Sequence, residues 1–182
     1  MRIISGTAKG TKLYTLEGES TRPTLDRVKE SIFNIIQYKI NNSIFLDLFS
    51  GSGAIGLEAA SRGAKKVVLC DKSQEAVNII KKNAQKTHLE NKIDVYNKSF
   101  DDCLKNISSE KFNIIYLDPP YKTNFIEQAI ELILKLDILE DDATIIVETD
   151  NKKIIDKLKL YKLKVTDQRK YGRAIVVFIE KI

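Results

Sequence analysis

The sequence predicts an α/β domain: a mostly parallel seven-stranded sheet with one antiparallel strand contributed by a C-terminal hairpin. Three observations carry that prediction. Between positions 44 and 160, short apolar runs alternate with segments of helical periodicity, a rhythm that places helices on both faces of a parallel sheet. The last two strand-like runs, 163–168 and 174–180, are joined only by a short segment around Tyr171-Gly172-Arg173, so they pair as a hairpin. The 182 residues suit one full hydrophobic core, which grows efficiently to roughly 250 residues.

The elements follow in order. Strands are expected at 44–49, 66–70, 93–96, 112–117 and 144–148, and helices at 54–62, 74–87, 125–136 and 153–160. Each helix carries apolar residues at three- and four-residue spacing. Ahead of the first sheet strand, 2–5 and 11–15 suggest a small hairpin, and 25–40 reads as an amphipathic helix. Thr24 is its expected N-cap, with Asp26 adding a favourable charge in the first turn. No internal repeat or low-complexity linker interrupts the chain, so residues 1–182 are expected to form a single domain with its sheet in 41–182.

Composition narrows the classes. No apolar run approaches the ~20 residues that span a bilayer, and the opening Met1-Arg2-Ile3-Ile4-Ser5-Gly6 lacks the apolar core of a signal peptide. The mature chain is expected to begin there, away from any membrane. Cys70 and Cys103 lie far apart without metal-ligand spacing, which suggests neither a disulfide framework nor a metal site and fits a reducing cytoplasm. His88, the only histidine, shows no partner and is given no catalytic role. Residues 1–40 carry seven Lys/Arg against four Asp/Glu, and residues 151–182 carry ten against three, while the middle is acidic. Basic flanks suit a polyanion such as nucleic acid, although a solvated lysine-rich surface gives the same bias.

Gly51-Ser52-Gly53-Ala54-Ile55-Gly56 follows the first strand, and Asp71 ends the second. That pattern fits a dinucleotide or S-adenosylmethionine, since both need close backbone approach and a carboxylate for ribose hydroxyls. Asp47 separates them. A carboxylate just before the loop repels a pyrophosphate, whereas the ammonium and sulfonium of S-adenosylmethionine are attracted to it. Asp71 is placed for the ribose diol, leaving Ser73 as the better cap of the following helix. Ser99 and Phe100, after the third strand, are candidates for the adenine amino group and ring, with core packing the competing reading of Phe100.

Asp118-Pro119-Pro120-Tyr121 follows the fourth strand, at the carboxyl end where open α/β sheets place their sites. Two prolines fix an extended backbone there. An amine on an aromatic ring is a poor nucleophile because its lone pair is delocalised. Asp118 and the Pro119 carbonyl, by accepting both N–H hydrogens, would aim that lone pair at a methyl donor through orientation and electrostatics. Tyr121 would stack on the flipped-out base.

The chain resembles the bacterial 16S ribosomal RNA guanine-N2 methyltransferases of the RsmD type. The likeness runs through Arg2-Ile3-Ile4-Ser5-Gly6, Lys9-Gly10, Lys12-Leu13, Arg22-Pro23-Thr24, Asp26-Arg27-Val28-Lys29-Glu30 and Phe33-Asn34. It continues through Asp47-Leu48-Phe49-Ser50-Gly51-Ser52-Gly53, Gly56-Leu57-Glu58-Ala59, Ser61-Arg62-Gly63-Ala64 and the Asp118 tetrapeptide. The resemblance implies a Rossmann-like class I fold and methylation of a guanine N2 in 16S ribosomal RNA, within the small subunit or its assembly intermediate, by a monomer. It implies cofactor contacts from Asp47, Phe49, Gly51, Ser52, Gly53, Asp71, Ser99, Phe100 and Thr24, with residues 1–40 facing cofactor and RNA. Arg2, Lys9, Lys12, Arg22, Arg27, Arg169, Lys170 and Arg173 are its candidates for RNA contacts. Two departures stand out: Ser99 replaces an aspartate found in many relatives, and Tyr121 a frequent phenylalanine.

Alternatives from other classes are weaker. DNA adenine methyltransferases share the tetrapeptide but commonly carry a target-recognition region for which no span is left. Protein-glutamine methyltransferases favour Asn at its first position. An NAD-dependent oxidoreductase is disfavoured by Asp47, and a non-catalytic RNA-binding module by the intact tetrapeptide.

Overall fold

The computed structural model describes residues 1–16, 23–120, 123–158, 161 and 163–181, with residues 23–25 and 155 described by backbone only. In chain order the elements are α1 (Pro23–Ile35), α2 (Gln37–Ile40), β1 (Ile44–Asp47), α3 (Ala54–Ser61), β2 (Lys66–Asp71) and α4 (Gln74–Thr87). A 3-10 turn at Glu90–Lys92 leads to β3 (Ile93–Asn97), α5 (Phe100–Asn106), β4 (Phe112–Leu117) and α6 (Phe125–Lys135). The chain closes with β5 (Leu139–Thr149), α7 (Ile154–Leu158), β6 (Leu163–Tyr171) and β7 (Ala174–Lys181).

The strands form one sheet in the order β3-β2-β1-β4-β5-β7-β6. From β3 through β5 every pairing is parallel, and β7 runs antiparallel to both β5 and β6, as the short connection at Tyr171-Gly172-Arg173 requires. The order reverses between β1 and β4, a topological switch point that opens a crevice at the strands' carboxyl ends. Residues alternate between two buried faces. Leu46, Val68, Ile115, Leu117 and Val147 pack with Ile126, Ile130 and Ile133 of α6 and with Cys103 and Leu104 of α5. Phe45, Val67, Leu69, Ile114 and Ile146 pack with Ile32 and Phe33 of α1, Leu57 of α3 and Ile80 of α4.

The amino-terminal expectations need correction. Helix α1 begins at Pro23, a residue whose fixed φ and missing N–H suit a first turn, so Thr24 lies inside the helix and is not its N-cap. The anticipated 25–40 helix also breaks at Ile36 (φ −93°, ψ 10°). The break lets both Ile36 and Ile40 reach the core, while Lys39 donates to Asp142 O, Thr144 and Glu180. The expected 2–5/11–15 hairpin is reduced to one antiparallel bridge, Arg2 with Lys12, flanked by Ile3 N to Thr11 O at 2.9 Å and Leu13 N to Met1 O at 3.0 Å.

That amino-terminal loop is fastened to the core by one buried carboxylate. Glu58 of α3 is fully buried and accepts from Ile4 N (2.8 Å), Ser5 N (3.0 Å) and Arg62 Nε (2.7 Å). Lys29 of α1 lies 3.2 Å from it, itself 1% exposed, and donates to the Arg2 carbonyl. Gly6 (φ +85°) is held so close that a Cβ there would sit 1.9 Å from Ser61 O. The loop, α1 and α3 are therefore tied to one another over the sheet.

Candidate active site

The loop after β1 is suspended from its neighbours. Ser50 N donates to Cys70 O at 2.9 Å, Cys70 N donates back to Ser50 Oγ at 3.0 Å, and Ser50 Oγ donates to Asp47 O at 2.7 Å. Asn83 of α4 holds Ser52 O at 2.9 Å and also ties down Tyr14. Gly51 and Gly53 adopt φ of +50° and +78°, a region costly for any residue with a Cβ. The backbone is thus presented bare at the carboxyl end of β1.

The two acids beside this loop have different surroundings. Asp71 Oδ2 accepts from Gly51 N at 2.9 Å and Oδ1 from Ser73 N at 2.9 Å, so the carboxylate itself shapes the loop and the start of α4. Ser73 Oγ caps α4 through Ala76 N at 3.3 Å. Asp47 is 1% exposed; its Oδ2 accepts from Gly56 N at 3.1 Å, while Oδ1 is buried with no hydrogen-bond partner among the described residues. Burial pushes the Asp47 carboxyl up to about 7, against the opposing Gly56 N–H and with a smaller push from Asp71.

Asp118 follows β4 half-buried, with Pro119 buried and Pro120 exposed. Thr123 Oγ1 donates to Pro120 O at 2.9 Å. Tyr121, like Arg22, lies outside the described residues, as does the side chain of Thr24.

Two cavities meet at this point. The larger, about 1160 Å³, is bordered by Asp71, Ser99, Phe100, Pro119 and Pro120. Phe49, Phe100 and Phe125 form its apolar wall, with ring centroids 5.6 Å (Phe49–Phe100), 6.3 Å (Phe49–Phe125) and 5.1 Å (Phe100–Phe125) apart. The Ser99 hydroxyl and then Lys105 hold the nearby Asp101 carboxyl below its usual range. The smaller cavity, about 120 Å³, lies under Val28, Lys29 and Ile32 of α1 and is lined by Asp47, Ser52, Tyr116 and Glu148. Phe49, Gly51 and Asp118 line both.

The smaller cavity is acidic. Tyr116 OH donates to Glu148 Oε2 at 2.6 Å, and burial raises both the phenol and the carboxyl. Burial lowers Lys29 at its rim, against the attraction of Glu58. Phe125, Tyr116, Glu148 and Lys29 escaped the sequence reading. Phe125 read as a helix-face residue and Tyr116 as part of an apolar strand run; the Lys29–Glu58 contact has no local signature.

The basic residues fall into two groups. Arg2, Lys9 and Arg27 line one cleft together with Asp26 and Glu30, Arg2 Nε lying 3.8 Å from Asp26, and Lys12 is Arg2's bridge partner. Arg169, Lys170 and Arg173 are exposed around the β6–β7 turn, with Arg169 Nη2 3.0 Å from Asp167. Tyr171 hydrogen-bonds to Ser31 of α1, which seats this turn beside the amino-terminal helix. Among the described residues no acidic, histidine or cysteine cluster is arranged to hold a metal, and no helix is long and apolar enough to cross a membrane.

A family model described as conserved hypothetical protein 95 matches residues 1–180. Ribosomal RNA small subunit methyltransferase D of Haemophilus influenzae is 42% identical over 155 residues, covering 84% of this chain and 80% of that protein. The protein of the same name from Escherichia coli K12 is 33% identical over 150 residues, covering 82% and 75%. Among solved structures, a Haemophilus influenzae protein assigned as a methylase superposes with a TM-score of 0.83 at 34% identity, over 100% of this chain and 98% of that one. A Thermus thermophilus protein described as hypothetical gives 0.81 at 26% identity, over 100% and 99%. The fold is the Rossmann-like methyltransferase fold.

Proposed function

The chain belongs to the conserved hypothetical protein 95 family, that of the RsmD-type ribosomal RNA methyltransferases, and from that premise we propose that it methylates the N2 amine of a guanine in 16S ribosomal RNA using S-adenosylmethionine. The observation that carries this reading is that Asp118 lines both cavities. The acid that activates an amine thereby stands where a cofactor cleft meets a small acidic chamber.

The residues present fit the cofactor. Asp47 offers a buried carboxylate oxygen without a partner, an arrangement that is costly alone and relieved by a cationic donor. Asp71 has one bond on each oxygen and retains acceptor capacity for two ribose hydroxyls. Phe49, Phe100 and Phe125 supply an apolar wall for a purine, with Ser99 at its edge, and Gly51, Ser52 and Gly53 bring backbone close to the amino-acid end. Thr24 belongs to the same proposed set. S-adenosylmethionine, when bound, supplies an electrophilic methyl on a sulfonium.

The protein's own groups do the rest. Asp118 and the Pro119 carbonyl accept the two amine hydrogens and hold the nitrogen lone pair in line with the methyl, while Pro120 keeps the backbone extended and Tyr121 stacks on the base. Arg2, Lys9, Lys12, Arg22, Arg27, Arg169, Lys170 and Arg173 contact phosphates and set the register of the RNA. Support comes from the Tyr171–Ser31 contact, which seats the hairpin turn against α1. In this reading residues 1–40 are an extension facing RNA and cofactor, and the protein acts as a monomer on the small subunit or its assembly intermediate. The test is incubation with methyl-labelled cofactor and small-subunit particles lacking the modification. Label is expected in the RNA; none with any nucleic acid would contradict the assignment.

A further inference from the structure

We propose that Glu148 is a specificity-determining residue that reads the target guanine directly, accepting its N1–H beside the amine held by Asp118. The inference rests on the guanine-N2 reading above and deepens it. Strands β4 and β5 are parallel and in register from Ile114↔Thr144 through Leu117↔Val147, so Asp118, the residue immediately after β4, follows on at the same end of the sheet as Glu148 in the last pleat of β5. Glu148 lines the small cavity with Asp118 and also the adjoining groove with Pro119 and Pro120.

The carboxylate is held for a ligand. Its Oε2 is fixed by Tyr116 OH at 2.6 Å, Tyr116 being buried in the sheet core, and no other described residue hydrogen-bonds to the group. Glu148 is thus oriented by one bond with acceptor capacity left over. Guanine presents N1–H next to its N2 amine, a donor beside a donor, whereas adenine presents a bare N1 acceptor next to N6. A second carboxylate beside Asp118 accepts from the first pattern and repels the lone pair of the second. A single carboxylate reads the amine alone; a pair reads the base.

The experiment compares small-subunit RNA carrying the target guanine with the same RNA carrying 2-aminopurine there, which keeps the exocyclic amine but has an acceptor at N1. At pH 8, the wild-type enzyme is expected to favour guanine in kcat/KM by roughly a hundredfold or more, because a site built for a donor rejects an analogue lacking it. E148Q, whose amide serves either pattern, is expected to narrow that ratio at least about tenfold while retaining its unfolding temperature. Y116F, which frees the carboxylate to rotate, is expected to narrow it less. Equilibrium binding of the two RNAs without methyl donor reads the same ratio independently of turnover. An unchanged ratio in folded E148Q, with the wild-type product mapped to guanine N2, overturns this inference alone. Wild-type label on another atom overturns the guanine-N2 reading and this inference with it.

Discussion

The two sides of the glycine loop hold aspartates of opposite circumstance. On the side of the large cavity, Asp71 spends one bond from each oxygen on Gly51 N and Ser73 N and holds the loop together before any ligand arrives. On the side of the small cavity, Asp47 is 1% exposed with one oxygen unpartnered, and burial has pushed it up to about 7. The contrast teaches that one residue type, repeated at the ends of neighbouring strands, supports the scaffold in one place and keeps an unmet demand for positive charge in the other. Asp118, lining both regions, is where the two meet.

The severest test of that division removes the shared residue. Asp118→Ala is expected to lower methyl transfer by roughly 10²–10³-fold, the loss typical of one electrostatic group in a preorganised site, with folding intact by circular dichroism. Normal turnover in the folded variant would remove Asp118 from the chemistry.

Paired amide substitutions sharpen the contrast itself. Asp71→Asn keeps one acceptor for two N–H groups, so it is expected to destabilise the protein by about 1–3 kcal/mol as well as weaken cofactor binding. Asp47→Asn is expected to weaken cofactor binding by roughly tenfold or more, yet to stabilise the ligand-free protein at pH 8 by about 1–2 kcal/mol, because an uncompensated buried charge disappears. Thermal unfolding and cofactor titration check both. Equal destabilisation by the two variants would erase the distinction.

The pH dependence follows from the same displacement. Asp47 titrates higher folded than unfolded, so the folded state holds a proton that the unfolded chain has released. Its contribution therefore destabilises progressively as pH rises from about 4 to about 7. A cationic ligand reverses the shift, so cofactor affinity is expected to rise over the same range with proton release on binding near neutral pH. Calorimetry in buffers of different ionisation enthalpy measures that release, and D47N should abolish it. The smallest effect lies at the hairpin turn: Lys170→Ala and Arg173→Ala should each reduce the salt slope of RNA binding by about 1 and leave cofactor binding unchanged.

Much of this was legible in the sequence, and the exceptions have physical causes. The residues forming β4 and α4 are bounded in the sequence as they are in the structure, because an unbroken apolar run and a capped amphipathic segment announce themselves. Helix α5 went unread although Phe100, Cys103, Leu104 and Ile107 carry helical spacing; its acidic first turn reads as a loop leaving a strand. Strand β5 starts at Leu139 because that residue pairs with Phe112 across a register irregularity, while exposed Asp141 and Asp142 look like a turn. Asp47, Asp71 and Asp118, which line the cavities, were singled out by type and position. The state of Asp47 was not, since desolvation depends on α1 closing over the sheet. Glu148 read as an unremarked strand end because its meaning lies in the neighbouring strand.

The central claim, that these acids act on a guanine amine, is tested most directly by mass-spectrometric mapping of the labelled nucleoside from small-subunit RNA after reaction with the wild-type protein. The account predicts label in N2-methylguanosine at a single position and its reduction by roughly 10²–10³-fold with D118A. Label in N6-methyladenosine, or undiminished guanine label with D118A, would contradict it.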